Sequence, residues 1–296
     1  MNHKKFARTA LILTVFALSV TATRAQSNYS LRSPDQRIEV RIRLAERLRY
    51  DVFLGGKALL QDATLLLKTE SATLGADPKI RNTKDSKVDQ WLEPTLPQKS
   101  ARVHENYNEL RLNLEGNYTI VFRAYNEGVA YRFETSLPAQ QQKILSEDVT
   151  LNFAGDYSVY YPKEDSFFSH NEREFLYLPL KEITAESIAS LPAVVDTKSG
   201  IKIAVAESDV DDYPGLWLRG NSANGLNGTF PPYPLKEQLT RDRDFKITQS
   251  ADYIAITKGT RVFPWRILGI AETDGDLITN QLVYLLAKPS EVRDVS

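Results

Sequence analysis

From Asp35 onward, apolar and polar residues alternate with a period of two along most of this chain, a pattern that points to β-sheet. Ile38, Val40, Ile42 and Leu44 are separated by charged residues and Leu110, Leu112 and Leu114 by polar or charged ones, and Tyr50, Val52 and Leu54 keep the same spacing. A Glu115-Gly116-Asn117 turn leads into Tyr118, Ile120, Phe122 and Ala124, and Asn126-Glu127-Gly128 into Val129, Tyr131 and Phe133. Side chains two apart share one face of a strand, so each segment offers an apolar face to a core and a wet face to solvent. Further strands are expected over residues 193–196 and 201–206, around a Lys198-Ser199-Gly200 turn, and over 213–219, 252–257, 265–271 and 282–286. Residues 79–98 are polar and contain Pro94 and Pro97, which reads as a loop anchored by Trp91. Residues 183–191 are the one short helix or loop of the second half, and 220–235 form a Gly/Asn/Pro-rich excursion. The five arginines between Arg37 and Arg49 fit the wet face of two strands. No stretch sustains helical periodicity over three turns. The expected fold is all-β, with two large antiparallel sheets packed face to face.

The first residues follow a different logic. Lys4, Lys5 and Arg8 precede an apolar run from Thr9 to Thr21, and Thr23-Arg24-Ala25 offers small residues for cleavage. This is the pattern of a secretory signal peptide over residues 1–25; the run is shorter than the roughly 20 apolar residues that span a bilayer. The expected location is the periplasm, with no membrane attachment after cleavage. Thirty-seven basic against 38 acidic residues give no steering towards nucleic acid. The absence of cysteine removes disulfides and thiolate chemistry. The sequons at Asn28, Asn117 and Asn227 read as chance.

Chemistry concentrates in residues 156–183, DYSVYYPKEDSFFSHNEREFLYLPLKEI, which hold six carboxylates, seven aromatics and one of the three histidines. Motifs for zinc proteases, serine hydrolases, phosphate loops and dinucleotide folds are absent. His104 reads as a plain strand residue. His170 is followed directly by Asn171 and Glu172, a hard-oxygen set suited to Ca²⁺; the plain alternative pairs Glu172 with Arg173 or Lys163. The second acidic cluster, Glu207, Asp209, Asp211 and Asp212, lacks the glycine and terminal glutamate of an EF-hand and reads as a turn. Trp217 and Trp265 have apolar neighbours and are expected in the core.

Four ordered stretches resemble one family. RAYNEGVAYRFE (123–134), SFFSHNEREFLYLPL (166–180), ESDVDDYPGLWL (207–218) and FPWRILGIAETDGDLITNQLVYLLAKP (263–289) are similar to the N-terminal domain of glycoside hydrolase family 97, exported α-glucosidases and α-galactosidases. The resemblance covers residues 27–292. It implies a large β-sandwich of the galactose-mutarotase-like kind over residues 26–292, with 293–296 opening a linker to a (β/α)₈ catalytic barrel. It also implies a glutamate lent by the sandwich to an active-site calcium. Glu172 matches that position, with Glu164 and Glu174 as alternatives; His170 and Asn171 are then expected to face the α-glycoside or oligosaccharide substrate. The expected function is that of a sandwich domain acting with a barrel partner in cis or in trans. Glycoside hydrolysis needs two carboxyl groups flanking the scissile bond, and the family places these on the barrel, so the chain alone is expected to be inactive. Two other readings are a stand-alone carbohydrate-binding module, using Trp217, Trp91 or residues 221–227, and an aldose epimerase relying on His104, His170 and nearby carboxylates.

Overall fold

The computed structural model describes residues 27–95, 99–221, 223–242 and 244–291. The leader expected over residues 1–25 and the linker expected over 293–296 lie outside the described residues. The alternating segments form antiparallel strands stacked in two layers, as their one-sided apolar faces require. The first layer runs Ile80–Leu92, Val103–Leu114, Tyr118–Tyr125, the N-terminal half of Gly128–Asn152, Trp265–Ala271, Lys202–Ser208, Ala193–Asp196, Ser158–Tyr161 and Leu176–Pro179. The second runs Ser27–Arg32, Ile38–Leu44, Leu48–Leu54, Lys57–Thr69, the C-terminal half of Gly128–Asn152, Gly225–Thr229, Trp217–Gly220, Ile188–Ala189 and Lys163–Glu164.

One strand therefore belongs to both layers. Gly128–Asn152 is 25 residues long, and its residues 137–140, which include Pro138, bulge out opposite Gly259 in the ladder with Ala255–Val262. Proline donates no ladder hydrogen bond and is tolerated at such a bulge. A Cβ on Gly259 would lie 2.0 Å from the Ala139 carbonyl oxygen, so the bend closes only over glycine.

The core lies between the layers. Tyr50 of the second layer meets Phe122 and Tyr131 of the first with ring centroids 5.7 and 5.6 Å apart. Arg266, on the first layer, reaches Glu147 on the second through paired 2.7 Å hydrogen bonds and Glu207 at 2.5 Å; the Arg266 and Glu147 side chains are each only 4% exposed. A smaller apolar cluster lies on the outer face of the first layer, where Leu282, Leu285 and Leu286 cover Trp265, Val121 and Tyr125.

The structure corrects three expectations. The loop expected over residues 79–98 gives way to a strand for most of its length: Ile80–Leu92 is a 13-residue edge strand paired with Val103–Leu114. Trp91 is no anchor, being 57% exposed and stacked on His104 at 4.5 Å. Residues 282–286 are not a strand: Leu282–Leu285 is a helical turn, preceded by helix Asp274–Thr279 with a Thr273/Asp276 capping box. Of the helix or loop expected over 183–191, the structure shows loop, broken by the two-residue strand Ile188–Ala189, and the helical turn falls earlier, at Leu180–Glu182.

Candidate functional site

Lys163–Glu164 is the edge of the second layer and Leu176–Pro179 the edge of the first. The chain between them, residues 165–175, thus passes from layer to layer at one rim of the sandwich, and it carries the expected site. Its base is tied down. The Glu164 side chain is buried, accepts from Arg173 Nε at 2.7 Å and from Ser190 Oγ at 3.4 Å, and Arg173 also meets Asp165 at 3.2 Å. Burial alone would raise the Glu164 pKa, but hydrogen bonds from Ser169 and Arg173 and the arginine's charge hold it below the ordinary value. Phe167 packs edge-on against Trp217 at 5.3 Å, so Trp217 is engaged in packing.

The tip stands clear of these ties. Asn171 takes a left-handed φ of 57°, which its short polar side chain tolerates, and its N–H donates to Ser169 Oγ at 2.9 Å. His170, Asn171, Glu172 and Glu174 are all exposed. Among the described residues neither Glu172 nor Glu174 has an ion-pair partner. Arg173, the neighbour that could have neutralised Glu172, is instead committed to Glu164. Phe168, Phe175 and Tyr177 flank the tip with about half of their surface exposed (55%, 46% and 49%).

A calcium ion takes six to eight oxygens. Among the described residues no group of three or more His, Asp or Glu side chains is placed to hold a metal. The loop therefore fits as the donor of one carboxylate to a site completed elsewhere, and it does not fit as a whole site. Glu164, closed off by Arg173, fits worse than the exposed Glu172 or Glu174. Three of the four acids of the second cluster meet cations of the fold: Glu207 is bonded by Arg266 and the Leu216 N–H and Asp211 by Lys288, while Asp209 lies 3.7 and 3.8 Å from Arg132 and Lys288.

A family model described as Glycosyl-hydrolase 97 N-terminal matches residues 31–289. The chain belongs to this family. A retaining alpha-galactosidase of Bacteroides thetaiotaomicron is 30% identical to this family 97 domain over 300 residues, 96% of this chain and 45% of that protein. The chain thus spans less than half the length of the curated relative that it matches. Among solved structures, a family 97 enzyme from Pseudoalteromonas sp. strain K8, in complex with acarbose, superposes with a TM-score of 0.78 at 17% identity, covering 90% of this chain and 39% of that one. A beta-arabinopyranosidase gives 0.69 at 18% identity, covering 83% and 40%. At those identities the likeness shows the fold, a two-sheet sandwich. The Glu164–Arg173 tie of the family 97 domain was not singled out from sequence. Its only signal there is a lone arginine among five nearby acids.

Proposed function

We propose that this family 97 N-terminal domain is the sandwich portion of an exported α-glycosidase, and that Glu172 supplies one carboxylate to a calcium site shared with a (β/α)₈ catalytic domain. The observation that carries the reading is the contrast within one loop: Glu164 is buried and neutralised at its base, while Glu172 at its tip is exposed and, among the described residues, unpaired. A surface glutamate between exposed aromatics, on a strap fixed at both ends, suits a partner surface that brings further oxygens. When bound, calcium would supply positive charge near the leaving oxygen of an α-glycoside. The chain's own contribution is positional. Arg173 ties the loop base to Glu164 and Ser169 accepts from the left-handed Asn171; the exposed His170 and Asn171 would then offer hydrogen bonds to sugar hydroxyls. Export to the periplasm belongs to the same proposal and is supported by the leader pattern of residues 1–25.

Reconstitution tests this reading. The purified chain alone is expected to leave aryl α-glucosides and α-galactosides intact. Joined to a family 97 catalytic domain, it is expected to give calcium-dependent turnover. Glu172→Gln should weaken calcium by about tenfold or more, as the loss of a charged ligand implies, while Glu174→Gln should not. An unchanged calcium requirement in Glu172→Gln removes the proposal.

A further inference from the structure

A second feature lies away from this loop. On the outer face of the first layer, a cavity of about 630 Å³ opens between Ile80–Leu92, the sheet and the segment following helix Leu282–Leu285. That volume is typical of small-molecule sites, which span about 300–1,000 Å³. None of residues 165–175 lines it. Its floor is Trp265, only 1% exposed, with the guanidinium groups of Arg123 and Arg132 over its ring at 4.8 and 4.4 Å. Such stacking fixes the plane of each guanidinium.

Arg123 meets Glu109 through Nε at 2.8 Å and also interacts with the Tyr125 hydroxyl, which leaves part of its five N–H donors for another acceptor. Arg132 is held by Glu134 through Nε at 3.0 Å and one terminal nitrogen at 2.7 Å. Its other terminal nitrogen stands 3.7 Å from Asp209, and Lys288 Nζ stands 3.8 Å from the same carboxylate. Both distances are too long for hydrogen bonds. The Asp209 side chain is nevertheless only 6% exposed, on a residue with a left-handed φ of 60°. A shielded carboxylate and two planar donors therefore face one space with hydrogen-bonding capacity to spare.

The chemistry of the lining selects the ligand class. Arg123, Arg132 and Lys288 are balanced by Asp209, Glu105 and Glu93, so neither an anion nor a cation is favoured by net charge. An apolar molecule would strip water from these groups and return nothing. A neutral saccharide offers vicinal hydroxyls that each donate and accept, and C–H faces to lie against Leu92, Tyr284 and Pro289. Three of the four stretches that carry the family resemblance meet here, through Arg123 and Arg132, through Asp209, and through Trp265 and Lys288. We propose that this cavity is a binding site for a neutral saccharide of one or two rings, separate from the Glu172 loop. The proposal shares with the functional reading only the premise that the chain handles carbohydrate, and it does not depend on calcium.

Calorimetric titration of the purified chain with maltose, melibiose and D-glucuronate tests it. Saturable binding of maltose or melibiose is expected, with D-glucuronate weaker. Arg123→Lys and Asp209→Asn should each weaken binding by about tenfold or more, whereas Glu172→Gln should leave it unchanged. No binding of either disaccharide overturns the proposal, as do tighter binding of D-glucuronate, or binding lost in Glu172→Gln but kept in the other two variants. Should a cavity variant fail to fold, the indole N–H resonances of the unmodified chain decide: the disaccharide is expected to shift Trp265, and a shift confined to Trp91 or Trp217 overturns the site.

Discussion

At the scale of single residues, burial separates groups that the sequence presents as equivalent. Glu164, Glu172 and Glu174 have the same chemistry, yet only Glu164 is drawn under Arg173 and Ser190. The alternation of the chain could not reveal this, because residues 165–175 form no continuous strand, and charge patterning does not tell which acid an arginine will choose. The same environment sets the acid behaviour of the fold. Glu164 is held below the ordinary glutamate value of 4.5, burial being outweighed by Ser169 and Arg173. Glu134 is also lowered, burial being outweighed by Arg111 and Arg132. Their stabilisation is complete above pH 4.5 and is lost as pH falls through their lower folded-state values. Glu207 and Glu127 are raised, chiefly by burial, so they contribute in the opposite sense, favouring the fold as pH drops towards 4.5. The melting temperature is expected to hold or rise slightly towards pH 4.5 and then to fall. Glu164→Gln should flatten that acid fall, which a series of thermal melts between pH 3 and 7 would read.

At the scale of elements, the strands found in the sequence are those with one dry face. Ile38–Leu44 and the Leu110–Leu114 end of Val103–Leu114 bury alternate apolar side chains, and the hydrophobic pattern follows. Ile80–Leu92 buries none of its residues and is held by its backbone ladder to a single neighbour, so no apolar period marks it and its flanking prolines suggest a loop. The two helices escape for another reason: at six and four residues they are too short to show a period of 3.6. The turn that opens the long strand was legible, because Gly128 supplies a positive φ of 149°. Its importance is also steric. A Cβ there would lie 2.3 Å from the Leu268 carbonyl oxygen and 2.7 Å from Leu282 Cδ1, pressing on the neighbouring strand and on the covering helix together. Gly128→Ala is expected to destabilise the fold by about 2 kcal/mol or more. A urea midpoint equal to that of the unmodified chain would contradict this.

At the scale of the whole molecule, the layers are joined by apolar packing and by one buried ionic tie. Arg266 carries its charge between two sheets; Glu147 receives it with almost no access to water, and Glu207 from a site that is 16% exposed. Period-two reading found the strands on which these residues lie, but their pairing is a product of the layer stacking. Arg266→Met should cost roughly 3–5 kcal/mol, since it strands two acids in the interior. Adding Glu147→Gln and Glu207→Gln should recover much of that loss, and chemical denaturation of the single and triple variants measures both. If the single variant is as stable as the parent, the tie contributes nothing.

The strand shared by both layers also governs how the chain could be dissected. Its bend at residues 137–140, with an exposed proline, has the surface character of a spacer between two modules. Cleavage there would sever the central rib of each sheet at once, leaving neither fragment a complete layer. Among the described residues, the separate hairpin formed by Pro234–Leu239 and Phe245–Ser250 is a two-stranded sheet of its own. New termini placed there, for a circular permutation or an inserted tag, would spare that rib.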